Sequence, residues 1–122
     1  MSCLFNSLSY FCHMDSMTIR QQICDYLESN HKIIDGMDTK LILEMENNNY
    51  INNMRRSSEW GGAIEIQVAC NLYSFRIIVR NKRDNTNIEF LPVSMNYNKT
   101  IELEWTGGHY EPVRQTFQFS YS

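Results

Sequence analysis

The feature of this sequence that most restricts its fold is a change of hydrophobic period near residue 75. Before that point apolar residues recur at helical spacing, and beyond it they alternate. A helix returns a side chain to the same face every 3.6 residues and a strand every 2, so one segment cannot satisfy both patterns. From Cys3 the set Cys3, Leu4, Phe5, Leu8, Phe11 and Cys12 predicts a buried helix, with Ser2 as its N-cap. Asp15 or Ser16 caps a second helix, which carries Ile19, Ile23, Tyr26 and Leu27 inward, turns Arg20, Gln21 and Asp25 outward, and ends near Asn30. A third helical stretch follows Asp35-Gly36 through Leu41, Ile42 and Met45. The Asn-rich run from Asn47 to Asn53 reads as a polar connection or irregular helix. A fourth helix follows Gly61-Gly62, with Ile64, Val68 and Leu72 on one stripe.

The second part of the chain reads as sheet. Phe75 to Arg80 and Thr86 to Leu91 are short β-rich runs joined by the turn-like Asn81 to Asn85, which signals a hairpin. Thr100 to Trp105 alternates cleanly. After the Gly107-Gly108 turn, His109 to Val113 and Thr116 to Tyr121 read as further strand. Helices first and a mostly antiparallel sheet second give an α+β architecture. A chain of 122 residues holds one such domain, 1–122, and with 43% hydrophobic residues it can bury a core.

Charge and cysteine usage narrow the chemistry. Eleven Lys+Arg against fourteen Asp+Glu leave a net charge of −3, no bulk footprint for nucleic acid or an anionic membrane. No stretch approaches the roughly 18 apolar residues of a membrane span, and the first twelve residues lack a basic n-region and a cleavage pattern. The chain therefore reads as cytoplasmic or nuclear, and as a monomer. Cysteines at 3, 12, 24 and 70 form no CxxC, and histidines at 13, 31 and 109 add no HxxxH, so neither a metal nor another cofactor is expected. Cys12, Cys24 and Cys70 lie in helical apolar stripes and read as core, and His13 and His31 read as helix-end residues.

Cys3 differs by position. A helix N-terminus stabilises a thiolate through unpaired backbone N–H groups and the positive end of the dipole. Such a nucleophile needs a base, and His109, directly after a Gly-Gly turn that lets backbone or substrate approach closely, is the histidine best placed to be one. Residues i and i+2 of a strand share a face, which sets Glu111 beside His109 as a carboxylate able to orient the ring. The pattern is that of a cysteine hydrolase, with nucleophile early and base and orienter late. The bland alternative is a packing cysteine, a turn histidine and a solvated glutamate.

Four segments, in order, carry a resemblance. Cys3-Leu4-Phe5-Asn6-Ser7-Leu8-Ser9 is similar to a nucleophile motif that opens a helix, and Ile19-Arg20 with Tyr26-Leu27 to the helix that follows it. Tyr50, Met54, Trp60-Gly61-Gly62, Glu65-Ile66 and Ala69 form the most specific signature. Gly108-His109-Tyr110-Glu111-Pro112-Val113 is similar to a late histidine motif. Together they resemble the ovarian tumour (OTU) family of cysteine proteases, most of whose members are deubiquitinases. The resemblance implies a papain-like cysteine proteinase architecture. It implies Cys3 as nucleophile, His109 as general base and then acid, and hydrolysis of the isopeptide bond at the C-terminal glycine of ubiquitin or a ubiquitin-like protein. Ubiquitin or polyubiquitin chains are then the protein partner.

Trp60, Gly61 and Gly62 fit a structural role beneath the site, and Gly107 and Gly108 a narrow substrate channel. The backbone of Cys3, with the loop at Ser2, would supply the oxyanion hole. In many members the third triad residue is an Asp three positions before the nucleophile, which here falls at position 0. In others a residue two after the histidine serves, and Glu111 occupies that place, one methylene longer than Asp. The expectation is a domain missing the segment before its nucleophile, with a catalytically weak or inactive ubiquitin-binding module as the alternative.

Overall fold

A computed structural model describes residues 3–114. In chain order they form α1 (Cys3–Cys12), α2 (Ser16–Glu28), α3 (Thr39–Glu46), α4 (Tyr50–Met54) and α5 (Ala63–Tyr73), then β1 (Phe75–Asn81), β2 (Thr86–Phe90), β3 (Lys99–Trp105) and β4 (Tyr110–Pro112). The period change coincides with the junction of α5 and β1. Ser74 stands there at φ 59°, in the left-handed region, and its N–H donates to the Cys70 carbonyl to close the helix. The Ser2 cap and the strand expected over Thr116 to Tyr121 lie outside the described residues.

The helix signals acted locally. Asp15 caps α2, its carboxylate accepting from the Thr18 N–H at 3.3 Å and from the Thr18 hydroxyl. Two expected faces are different. Arg20, read as outward, is only 1% exposed. On α5 the buried set is Glu65, Ile66, Val68, Ala69 and Cys70, while Leu72 reaches solvent. The helix lies between α2 and β1, so two of its sides are covered and the stripe through Leu72 is not the innermost. On α3 the residues turned inward are Thr39 and Leu43, and Leu41 and Met45 face out.

The sheet runs β2-β1-β3-β4. β1 and β2 form the expected antiparallel hairpin, with Asn81 opposite Thr86 and Ile77 opposite Phe90. β3 and β4 are also antiparallel, but the central pair, β1 and β3, is parallel, from Phe75 opposite Lys99 to Asn81 opposite Trp105. The sheet is therefore mixed. A parallel neighbour cannot be reached by a tight turn, and residues 91–98 carry the chain across. Phe75, Ile77, Val79, Ile101 and Leu103 line the inner face. The outer face carries ion pairs, Arg76–Glu89 at 2.5 Å and Arg80–Glu102 at 2.6 Å. Leu4, Phe5 and Leu8 of α1 join this core, and α1 packs against both α2 and β4. The first helix is thereby held against β4.

Candidate active site

Cys3 is the first residue of α1 and is half-buried. The turn that follows is fixed from below and within. Leu4 and Phe5 are buried, and the Ser7 hydroxyl donates to the Cys3 carbonyl at 2.8 Å. Burial pushes Cys12 and Cys24 up to about 11, and Cys70 up to about 12, which keeps them protonated and inert near neutral pH. Cys12 is half-buried, and Cys24 and Cys70 are core residues, as their apolar stripes predict. His13 ends α1 in the left-handed region at φ 59°, and His31 lies exposed beside the Tyr26 ring.

The late motif meets this helix start. Burial is the first cause holding the Tyr110 phenol above its ordinary value, and the second is charge on Cys3, so the residue next to His109 stands within electrostatic reach of the thiol. His109 itself immediately precedes β4, with its carbonyl accepting from the Thr106 N–H at 3.1 Å. Its Nε2 lies 3.4 Å from Glu111 Oε2, the shared face that the i, i+2 spacing predicts. Both side chains are more than half exposed. The extra methylene of glutamate is thus accommodated.

The glycines divide into two kinds. A Cβ on Gly61 would stand 2.7 Å from Leu4 Cδ2 and 3.0 Å from a Phe5 ring carbon, so only glycine lets this segment lie under the nucleophile's helix. Gly107 takes φ 107°, and a Cβ there would meet the Arg83 side chain at 2.7 Å. Gly62 and Gly108 face open space. Trp60 departs from its expected place beneath the site. It is 52% exposed, and the close approach to α1 is made by its neighbour Gly61. Ser2 lies outside the described residues, so of the expected oxyanion elements only Cys3 is on view.

Under α1 runs a polar network to which the sequence assigned no chemistry. Glu65 is fully buried and accepts from the Tyr50 hydroxyl at 2.6 Å and from the Gly62 N–H at 2.7 Å. This ties α4 to the start of α5. Burial raises the Glu65 carboxyl above the ordinary value, and the two donors pull it back. Arg20 crosses the same region, and burial lowers its guanidinium from the usual arginine range. Its signal was present in the sequence: Arg20, Ile23, Cys24 and Leu27 follow i, i+3, i+4, i+7 spacing and share one stripe. Among the described residues no group of three or more His, Cys, Asp or Glu side chains is arranged to hold a metal ion.

The sequence model of the family described as OTU-like cysteine protease matches residues 2–110. The ovarian tumor domain-containing deubiquitinating enzyme 9 of Arabidopsis thaliana is 30% identical over 117 residues, covering 92% of this chain and 32% of that protein. The ubiquitin thioesterase OTU1 of Rattus norvegicus is 28% identical over 122 residues, covering 95% of this chain and 34% of that one. The chain thus spans about a third of the length of these curated relatives. A solved ovarian tumor domain in complex with ubiquitin matches with a TM-score of 0.73 at 23% identity, over 91% of this chain and 62% of the other. This likeness is one of fold, the papain-like α+β arrangement expected above.

Proposed function

The chain belongs to the OTU-like cysteine protease family, and we propose that it hydrolyses the isopeptide bond at the C-terminal glycine of ubiquitin or a ubiquitin-like protein, with Cys3 as nucleophile. The observation that supports this reading is the packing of α1, which begins at Cys3, against β4, whose first residue Tyr110 follows His109, together with the 3.4 Å approach of Glu111 Oε2 to His109 Nε2.

The chemistry follows from that geometry. Glu111 faces Nε2 and orients the ring as an Nε2–H donor, which leaves Nδ1 as the lone pair available to the thiol. Nδ1 takes the Cys3 proton as Sγ attacks the glycine carbonyl carbon. The oxygen of the tetrahedral intermediate is met by unpaired N–H groups in the first turn of α1, that of Cys3 among them. The imidazolium returns the proton to the leaving lysine amine, and a thioester remains on Cys3. Water, deprotonated at the same nitrogen, then attacks the thioester and releases the free carboxylate and the thiol. Gly107 and Gly108 carry no side chains of their own next to His109, and Gly108 faces open space, in keeping with a substrate that ends in glycine.

The direct test is covalent capture by ubiquitin carrying a C-terminal electrophile. The reading expects one adduct on Cys3, absent from Cys3→Ala and strongly reduced in His109→Ala. A folded wild-type sample that leaves Cys3 unlabelled would refute it. Titration of ubiquitin into Cys3→Ala distinguishes a binding module from a chain that does not engage ubiquitin.

A further inference from the structure

We propose that Arg20 is a positioning residue for the nucleophile, a buried cation that fixes Cys3 by clamping Phe5 to the segment that runs beneath α1. The inference rests on the reaction proposed above. Its starting point is that a charged side chain has been taken out of water at a site where an apolar residue would be expected. Arg20 is 1% exposed, and burying a guanidinium is costly unless its donors are used.

Its contacts are distributed around the nucleophile's support. Arg20 Cζ lies 4.2 Å from the centroid of the Phe5 ring, within cation–π range, and Phe5 is two residues after Cys3 and fully buried. Nη1 donates to the Met54 carbonyl at 2.7 Å, and Nη2 donates to the Glu59 carbonyl at 2.9 Å and reaches the Ser57 carbonyl at 3.5 Å. These carbonyls stand at the end of α4 and along the turn that leads into Trp60 and Gly61. Gly61 in turn presses on Leu4 and Phe5. The circuit closes on itself: Arg20 holds the 54–59 segment, that segment places Gly61 under α1, and the ring of Phe5 lies on Arg20 again.

A planar fork suits this task, because it donates in two directions in its own plane while presenting a flat face to the ring. A lysine offers a point charge and cannot do both. Through Phe5 the clamp touches the first turn of α1, and that turn carries the attacking sulfur. A displacement of an ångström there is enough to cost about 10²-fold in rate. Elsewhere in the core it would cost stability alone.

The test uses a ubiquitin C-terminal fluorogenic amide and the full chain. Arg20→Lys is expected to stay folded and to lose about 10- to 100-fold in kcat with KM within twofold, the split of a group that acts on the reacting geometry rather than on ubiquitin binding. A folded Arg20→Lys protein with wild-type kcat overturns the proposal. If Arg20→Lys does not fold, Phe5→Leu, which removes the ring and leaves the carbonyl contacts, is expected to show the same split, and an unchanged kcat there overturns it. If the wild-type chain itself does not hydrolyse the substrate, the proposed function fails and the clamp is judged separately by 15N–1H spectra. Displaced Cys3, Leu4 and Phe5 amide signals in Arg20→Lys support it, and unmoved signals overturn it.

Discussion

Glu111 Oε2 stands 3.4 Å from His109 Nε2 at the edge of the sheet, and the contact spans the boundary of β4, which begins at Tyr110. The pair is exposed, so neither partner is held by burial. In the proposed mechanism Glu111 contributes direction, by selecting which ring nitrogen carries the hydrogen.

Substitutions at Glu111 should therefore separate charge from reach. Glu111→Gln keeps an acceptor oxygen and is expected to lower kcat about tenfold, while Glu111→Ala lowers it by about 10². Glu111→Asp is one methylene shorter and is expected to resemble Ala more than Gln. Stability should hardly change in any of the three, since exposed charge pairs contribute about 0–1 kcal/mol. Steady-state hydrolysis of a fluorogenic ubiquitin substrate, with melting curves alongside, checks the order. A Glu111→Ala protein of wild-type kcat would remove Glu111 from the mechanism.

The adjacent glycines make an internal control. Gly61→Ala places a methyl 2.7 Å from Leu4 Cδ2 and 3.0 Å from Phe5, and neither side chain can swing away because both are buried. Overpacking of this kind costs about 1–3 kcal/mol. Gly62→Ala meets nothing within 4 Å and its φ of −147° lies outside the left-handed region, so its cost is the few tenths to about 1 kcal/mol of a poorer helix cap. Denaturant unfolding should rank the two clearly. Gly61→Ala should also slow capture of Cys3 by a ubiquitin electrophile, because the added methyl pushes on the first turn of α1. Equal midpoints for the two variants would contradict the close approach.

What the sequence disclosed depended on the range of the interaction. The helix start at Cys3, the Asp15 cap, the hairpin around residues 82–85 and the His109–Glu111 face are set by residues a few positions apart, and local rules reached them. The parallel pairing of β1 with β3 joins Phe75 to Lys99, and no local pattern specifies it. Arg20 was misread for a different reason. A charged residue is assigned to solvent by default, and its partners Phe5, Met54 and Glu59 come from segments that the fold alone assembles. Trp60 is the opposite case, a large apolar residue that is 52% exposed while its neighbour Gly61 makes the close approach to α1.

The buried pair Tyr50 and Glu65 gives a prediction with a definite sign in pH. Burial holds the Glu65 carboxyl above its ordinary value. A group raised in this way contributes stability that is fully present below its unfolded value and is lost as pH rises through its folded value. The donors at 2.6 and 2.7 Å, from the Tyr50 hydroxyl and the Gly62 N–H, limit that loss by stabilising the charged form. Tyr50→Phe removes the first of them, so the folded value rises further and the carboxylate is left with one donor fewer exactly where it is ionised. The deficit of Tyr50→Phe against wild type should then be small at about pH 4 and grow to about 1–3 kcal/mol at about pH 8, the cost of an under-satisfied buried acceptor. Glu65→Gln, which carries no charge at either pH, should show no such growth. Guanidinium unfolding of the three proteins at both pH values decides it, and a Tyr50→Phe deficit of equal size at both would show that the hydroxyl does not act through the charge on Glu65.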